Sequence, residues 1–270
     1  MIPSPGFDAQ GLQLPQPDAD AIAHSTRLVA AIVARIEESG GMIGFEEYMR
    51  MALYEPGLGY YSGNAIKFGA CGDFVTAPEI SPLFGASLAR QAAALIEQGC
   101  GARILEFGAG SGSLCGHILT ALPELERYLI LDLSGELKLR QQNYLGNCLS
   151  PEQFAKIEWL SGLPEGFDGI VLANEVLDAM PVHMLLKQGG WLELGVGYDG
   201  QRFDWQTFAP GARVLEAIQG IESRLGEFPQ DYRCEVNLNF EPWFHALAQS
   251  CERAAVVIID YGYEQDEYYH

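Results

Sequence analysis

The sequence predicts an α/β fold with a doubly wound parallel sheet, which is preceded by a helical region and interrupted by an antiparallel insert. Three observations predict this fold. Short apolar runs alternate with helical patterns from residue 101 onward, a glycine-rich turn links the first run to a helix, and turns near residue 190 interrupt the alternation. Such an order is typical of βαβ units, which build parallel sheets. The 270 residues, of which 48% are hydrophobic, are enough for a large core.

Five apolar runs are the expected parallel strands, with helical patterns between them. The runs cover residues 103–107, 128–133, 157–160, 169–173 and 254–260. The helical patterns cover residues 113–122 and 134–149. Between the fourth and fifth runs, residues 182–187 and 191–196 flank the turn residues 188–190, which indicates a β-hairpin. We therefore expect an inserted antiparallel element at about residues 182–207.

The region before the sheet divides into a tail and a helical part. Residues 1–20 are rich in proline and lack a helical period, so we expect a flexible tail. Residues 21–100 carry helical patterns at 22–36, 45–53 and 82–98, with a long loop before the third pattern. A loop of that length inside a domain usually has a function. Residues 101–270 would then form the domain that contains the sheet.

Composition and charge exclude several classes of partner. Lys and Arg sum to 16 and Asp and Glu to 36, which leaves a formal net charge of -20. An acidic surface repels nucleic-acid backbones and anionic lipids, so neither is expected as a partner, and a protein partner should be basic. No apolar run reaches the roughly 20 residues that a membrane helix needs, so we expect no membrane insertion.

The cysteines and histidines give no sign of a metal site. The six cysteines lie far apart, and the histidines lack the spacing of metal-binding motifs. The N-terminus has neither the basic nor the apolar segment of a signal peptide. We therefore expect reduced thiols, no bound metal and a cytoplasmic location.

The most informative local motif is the turn after the first predicted strand. Gly108, Gly110 and Gly112 are separated by single residues, with Ser111 between the last two and Glu106 on the strand before them. Glycine lets the backbone turn sharply and approach a ligand closely at the start of a helix. The motif is typical of a nucleotide-cofactor site, although a plain glycine-rich turn remains an alternative.

Two cofactors use such a turn, and the neighbouring residues discriminate between them. A dinucleotide site needs a third glycine three residues after Gly110, where this sequence has Ser113. The carboxylate of Glu106 would repel a pyrophosphate but attract the cationic methionine moiety of S-adenosylmethionine (SAM). Asp132, at the end of the second strand, can accept both ribose hydroxyls, and we expect Leu133, the next residue, to contact the cofactor as well. These residues favour SAM over a dinucleotide.

A second group of polar residues follows the fourth predicted strand. Asn174, Glu175 and Asp178 come where the carboxyl ends of parallel strands form ligand sites, and we expect Asn174 to contact the cofactor. The same residues could instead begin a helix, with an N-cap followed by acids in the first turn. The Asn/Asp-Pro-Pro-aromatic tetrad that amino-methyltransferases of nucleic-acid bases usually carry at this point is absent.

Several segments together resemble the MidA family of SAM-dependent methyltransferases. They are residues 54–61 (YEPGLGYY), 72–85 (GDFVTAPEISPLFG), 105–112 (LEFGAGSG), 174–181 (NEVLDAMP) and 260–263 (DYGY). The segment at 72–85 is the most specific of these. The resemblance implies a class I (Rossmann-like) SAM-dependent methyltransferase fold with SAM as its cofactor. The mitochondrial members of the family are protein arginine methyltransferases that act in respiratory complex I assembly.

The resemblance also implies an activity, and the chemistry of that activity indicates candidate catalytic residues. It implies methylation of arginine on a protein substrate, and a respiratory complex subunit is one candidate substrate. An arginine side chain is always charged, so carboxylates must bind it and then accept a proton. Glu79, Glu175 and Asp178 are the candidates for this role.

The loop at residues 72–85 is expected to fold over the methionine end of the cofactor. The loop residues that we expect at the methionine end are Asp73, Phe74 and Thr76. Relatives in the family continue past the fifth strand into the last antiparallel strands of the sheet, whereas this sequence stops at His270. We therefore expect a sheet that lacks its C-terminal strands, unless the insert covers the open edge.

Three functions remain open from the sequence. The first is a protein methyltransferase, and the second is a methyltransferase of small molecules, which would need an enclosed apolar pocket. The third is an assembly factor that binds SAM without transferring its methyl group. A homo-oligomer is compatible with all three.

Overall fold

Helices and two β-sheets make up the part of the chain that the structure, a computed structural model, describes: residues 17–63, 76–132 and 135–269. The helices are α1 (Ala19–Glu38), α2 (Phe45–Tyr54), α3 (Ala77–Ile80), α4 (Pro82–Glu97), α5 (Ser113–Ala121), α6 (Gly135–Cys148), α7 (Pro151–Phe154), α8 (Ala212–Leu225), α9 (Phe240–Ser250) and α10 (Gln265–Tyr268). The strands are β1 (Met42–Gly44), β2 (Arg103–Phe107), β3 (Arg127–Leu131), β4 (Ile157–Leu160), β5 (Phe167–Asn174), β6 (His183–Lys187), β7 (Trp191–Tyr198), β8 (Phe203–Phe208), β9 (Arg233–Val236) and β10 (Cys251–Ile259).

Five parallel strands form the predicted sheet, in the order β10-β5-β2-β3-β4. Their bounds agree with the predicted runs to within three residues. Ile104 of β2 pairs with Tyr128 of β3 on one side and with Ile170 of β5 on the other, so the strand order reverses beside β2. Because all five strands run in one direction, their carboxyl ends meet at one edge. Ligands bind such sheets at that edge, where the order reverses.

Both faces of the parallel sheet are buried, as a doubly wound fold requires. On one face, the fully buried Ile104 and Tyr128 belong to a cluster with Ile118 of α5. The next residue along β2, Leu105, belongs to a second cluster with Leu247 of α9. Successive side chains of β2 therefore pack against helices on opposite faces of the sheet. This packing fixes β2, and so it also holds the glycine turn that follows β2 in place.

A second, antiparallel sheet contains the predicted hairpin and extends well beyond it. β6 and β7 pair around residues 188–190, β8 pairs with β7, and β9 pairs with β6. The short N-terminal strand β1 also joins this sheet, since Met42 pairs with Gly197 of β7. The insert therefore reaches past residue 207 to β9, and it includes a strand from the N-terminal region that the sequence analysis missed.

Strand β10 forms one edge of the parallel sheet. It bonds to β5 along its length and to no other strand in the described part of the chain. Its Val256 and Ile258 side chains are 44% and 36% exposed. The strands of the insert belong to the other sheet, so the alternative that the insert covers this edge is wrong.

The N-terminal helices follow the predicted pattern, with one corrected boundary. The Asp18 side chain accepts a hydrogen bond from the Ala21 amide at 2.7 Å, which caps α1. Residues 19 and 20, predicted as the end of the flexible tail, are therefore helical, and residues 1–16 lie outside the described part. Ser81 likewise caps α4, because its hydroxyl accepts a hydrogen bond from the Leu83 amide at 3.2 Å.

Candidate active site

The carboxyl edge of the parallel sheet borders a cavity of about 730 Å³, a size typical of small-molecule sites. It brings together most of the residues that the sequence predicts for cofactor binding and catalysis. The predicted residues that line it are Thr76, Glu79, Glu106, Gly108, Gly110, Ser111, Asp132, Asn174, Glu175 and Asp178. Gly112 ends the same turn as the N-cap of α5. Asp73, Phe74 and Leu133 lie outside the described residues.

The glycine turn has a backbone that other residues adopt only with strain. Gly108, Gly110 and Gly112 have φ angles of 62°, 56° and 89°, all in the left-handed region. A Cβ atom on Gly108 would lie 3.2 Å from Val176 Cγ2, and one on Gly112 would lie 3.2 Å from Leu145 Cδ1. Both the backbone conformation and the tight packing therefore explain the glycine spacing.

Glu106 is buried beneath the turn and lines the cavity. Its Oε2 atom accepts a hydrogen bond from the Tyr128 hydroxyl at 2.8 Å. Burial raises the pKa of the Glu106 carboxyl to about 8, and the charge of Asp132 also raises it. The Glu106 carboxyl is therefore mainly neutral at pH 7 in the absence of a ligand. It can attract a cationic cofactor, as predicted, only if the carboxyl ionises when the cofactor binds.

Asp132 is held in place by a residue that the sequence analysis missed. The fully buried Gln141 of α6 donates from Nε2 to Asp132 Oδ2 at 2.8 Å and to the Gly110 carbonyl at 3.1 Å. The Gln141 Oε1 atom accepts a hydrogen bond from Trp159 Nε1 at 2.9 Å. Gln141 thus couples the glycine turn to the carboxylate expected to bind ribose. A single glutamine within a helix carries no motif that could have indicated this role.

Glu79, on the short helix α3, contacts the side of the cavity formed by the glycine turn. Its Oε1 atom accepts hydrogen bonds from the hydroxyl of Ser111 and, at 3.2 Å, from that of Ser113. The Ser111 hydroxyl also accepts a bond from the Ser113 amide at 3.2 Å, at the start of α5. These contacts connect Glu79 to the cofactor half of the cavity, so its catalytic role remains a prediction.

The residues after β5 form a turn rather than a helix, so the alternative of a helix start is wrong. Glu175 has a φ angle of 52°, a conformation that is costly for a residue with a side chain and is common at functional sites. Burial raises the pKa of Glu175, and the negative charges of Asp178 and Asp260 raise it further. Burial and Asp260 also raise the pKa of Asp178. The turn therefore concentrates negative charge at the cavity.

Two tyrosines of the N-terminal region form an aromatic wall of the cavity. The rings of Tyr54 and Tyr61 stack with centroids 5.6 Å apart. The Tyr54 hydroxyl donates a hydrogen bond to the Ala179 carbonyl at 2.8 Å, which ties α2 to the turn after β5. Burial raises the pKa of both hydroxyls, so they stay protonated at neutral pH. Both tyrosines belong to the YEPGLGYY segment, to which the sequence analysis gave no role.

The residues present fit SAM. The Oδ1 atom of Asn174 is buried and has no hydrogen-bond partner among the described residues. A buried acceptor without a partner costs about 1–3 kcal/mol, and the ammonium group of a SAM molecule would satisfy it. Glu106 offers a second group for the methionine moiety, and Asp132 offers a carboxylate for the ribose.

The strand order reverses beside β2, a left-handed glycine turn follows β2, and the carboxylate of Asp132 follows β3. Together these features define a Rossmann-like protein that binds a nucleotide cofactor. A family model described as "S-adenosyl-L-methionine-dependent methyltransferase" matches residues 87–270. The chain therefore belongs to the MidA family of SAM-dependent methyltransferases.

Solved and curated relatives agree with this family. A protein of the COG1565 superfamily from Burkholderia thailandensis, crystallised with S-adenosyl-homocysteine (SAH), is 43% identical to this chain, and the two structures superpose with a TM-score of 0.87. The match covers 95% of this chain and 68% of the Burkholderia protein. The mitochondrial protein arginine methyltransferase NDUFAF7 of Danio rerio is 30% identical over 83% of this chain. The Homo sapiens protein of that name is 31% identical over 69% of this chain. The chain spans 59% and 49% of these two curated relatives.

Neither a metal-binding cluster nor a membrane-spanning helix is present among the described residues. No described group of three or more His, Cys, Asp or Glu side chains could hold a metal ion. None of the described helices is long and apolar enough to cross a membrane.

The raised pKa of Glu106 predicts a pH dependence of cofactor binding. Ionisation of Glu106 as the pH rises from about 7 to 9 adds a negative charge that would attract the ammonium group, which SAM and SAH share. The ratio of SAH affinity in the wild type to that in Glu106→Gln should therefore increase across this range. Calorimetric titration of both proteins at each pH measures the ratio, in which titration of SAH itself cancels. A ratio that does not change with pH would contradict this role of Glu106.

Proposed function

We propose that the protein transfers the methyl group of SAM to an arginine side chain of a protein substrate. The observation that carries the proposal is the carboxylate pair Glu175 and Asp178, which lines the same cavity as the cofactor turn. Among the described residues, no Lys or Arg forms an ion pair with either carboxylate. The cavity therefore has a cofactor side and an adjoining negative side that can accept a cation.

The carboxylate pair suits a guanidinium group in particular. Guanidinium is planar, keeps its charge at all physiological pH values and presents five N–H donors, which carboxylates accept in pairs. A bound cation would offset the repulsion that raises the pKa values of Glu175 and Asp178. The negative charge of this part of the cavity therefore favours a positively charged acceptor.

The aromatic wall provides the rest of the acceptor environment. The stacked Tyr54 and Tyr61 present flat faces, and a guanidinium over such a face gains about 0.5–2 kcal/mol. The negative charges of Glu175 and Asp178 act on the Tyr61 hydroxyl and raise its pKa, so the ring lies near both carboxylates. An arginine side chain can therefore be held by charge on one side and by aromatic packing on the other.

The chemistry requires one proton to leave the acceptor. SAM, when bound, supplies a methyl group on a sulfonium sulfur. As the arginine nitrogen forms its bond to that methyl, the bond between the methyl and sulfur would break and SAH would leave as a neutral thioether. The nitrogen must also lose a proton, because the guanidinium pKa lies above about 12 and the group is protonated at the start. Glu175 and Asp178 are our candidates to accept it, since both line the cavity and a carboxylate with a raised pKa is the stronger base.

The relatives support a protein substrate. The curated relatives from fish and human are named protein arginine methyltransferases. The net charge of -20 favours a basic partner surface, and a subunit of a respiratory complex is the first candidate to test.

Transfer of label from SAM distinguishes this proposal from the alternatives. The purified protein is incubated with methyl-labelled SAM and a cell lysate, and macromolecules are then separated from small molecules. We expect label in one or a few protein bands, and none with a variant that cannot bind SAM. Label in small molecules alone would indicate the second candidate function. No transfer to any component would indicate a binding protein without activity.

A further inference from the structure

Asp260, the first residue after β10, binds the turn that carries the candidate catalytic carboxylates. Its Oδ2 atom accepts hydrogen bonds from the amides of Leu177 and Asp178 at 2.9 and 3.2 Å. Its Oδ1 atom accepts a third bond, from the Tyr261 amide at 2.9 Å. Asp260 thus joins the ends of two neighbouring parallel strands, β5 and β10, across the edge where the cavity lies.

Residues 175–178 are neither helix nor strand, so the turn is held by separate contacts. At its far end, the Met180 amide donates to the Leu177 carbonyl at 3.1 Å, and the Tyr54 hydroxyl donates to the Ala179 carbonyl at 2.8 Å. The Glu175 amide donates to the Ile259 carbonyl at 2.8 Å, which fixes the start of the turn. The next two contacts with β10 both depend on the Asp260 side chain. Because Glu175 is in the left-handed region, the turn has a strained backbone that relaxes if it is not held.

An aspartate at this position also has an electrostatic cost. Its charge lies close enough to Glu175 and Asp178 to raise both pKa values. A neutral acceptor oxygen could bond the same two amides without that repulsion. The support that Asp260 gives the turn therefore depends on its acceptor oxygen rather than on its negative charge.

We infer that Asp260 is a positioning residue, which holds the turn at residues 175–178 so that Glu175 and Asp178 face the acceptor. This inference rests on the proposed function for its activity readout. It predicts that the hydrogen-bonding oxygen at position 260 matters more than its charge. The acceptor can therefore be kept or removed in two matched variants.

The test compares Asp260→Ala with Asp260→Asn. The alanine variant loses both bonds to the turn, and displacement of the carboxylates should lower label transfer at saturating SAM by about 100-fold. The asparagine variant keeps one oxygen that can accept both amides, so its rate should stay within about threefold of the wild type. The Kd for SAH should change less than about threefold in either variant, because Asp260 is not among the residues that line the cavity. Equal loss of activity in both variants, or none in the alanine variant, would overturn the inference.

Hydrogen exchange tests the same inference without requiring activity. In the complex with SAH, a peptide that covers residues 175–181 should exchange faster in Asp260→Ala than in the wild type or in Asp260→Asn. Peptides from α5 should exchange equally in all three, which shows that the fold is intact. An unchanged rate at residues 175–181 in the alanine variant would overturn the inference. Absence of label transfer by the wild type would contradict the proposed function instead.

Discussion

Replacement of Gly110 by valine should abolish cofactor binding. Gly110 has a φ angle of 56° and lines the cavity, so valine adds a branched side chain to a left-handed residue that faces the cofactor. Backbone strain and steric exclusion together should cost at least about 3 kcal/mol, which is roughly a 100-fold loss of SAH affinity. Isothermal titration with SAH measures the loss directly.

Gly166→Val is the matched control for this variant. Gly166 has a φ angle of 60°, so the backbone strain is similar, and a Cβ atom there meets nothing within 4 Å. It precedes β5 and therefore lies at the opposite edge of the sheet from the cavity. The control should lose thermal stability as Gly110→Val does, but it should bind SAH like the wild type. Wild-type SAH affinity in Gly110→Val would contradict the site assignment.

The second large effect is expected when the carboxylate pair is neutralised. Glu175→Gln combined with Asp178→Asn keeps the shape of both side chains but removes the groups that bind the guanidinium and accept its proton. General bases typically contribute 10²- to 10⁴-fold, so label transfer to protein should fall by about 1,000-fold. The turn and its bonds to Asp260 are retained, because they involve backbone amides.

Two measurements show whether this loss is specific to the acceptor. The SAH affinity of the double variant should stay within about threefold of the wild type, since neither residue is expected to hold the cofactor. The combination of Glu216→Gln with Glu37→Gln, which removes one exposed carboxylate from α8 and one from α1, controls for the change in net charge and should transfer label at the wild-type rate. Full transfer by the double variant would exclude Glu175 and Asp178 as catalytic residues.

The sequence was most predictive where local patterns determine structure. The alternation around Ile104 and Leu105 follows from burial on both faces, so each parallel strand could be recognised from its apolar run. The glycine turn was predictable because its backbone is left-handed at Gly108, Gly110 and Gly112, a conformation that few residues other than glycine adopt readily. The position of Asp132 followed from the parallel order of the strands.

Contacts between distant segments could not be predicted in the same way. The three residues of β1 gain strand structure by pairing with β7, more than 140 residues later, and carry no pattern of their own. Gln141 and Asp260 act through hydrogen bonds that only the folded chain creates. Glu79 was predicted as a catalytic group, but its contacts with Ser111 and Ser113 depend on how α3 meets the start of α5.

The identity of the methylated residue tests the central claim most directly. The protein is incubated with methyl-labelled SAM and a lysate, and the labelled protein is hydrolysed and separated into its amino acids. We expect the label to be recovered as N-methylated arginine, and we expect the Glu175→Gln, Asp178→Asn double variant to yield almost none. Recovery of the label in methyl-lysine, in a carboxyl ester or in small molecules alone would contradict the central claim.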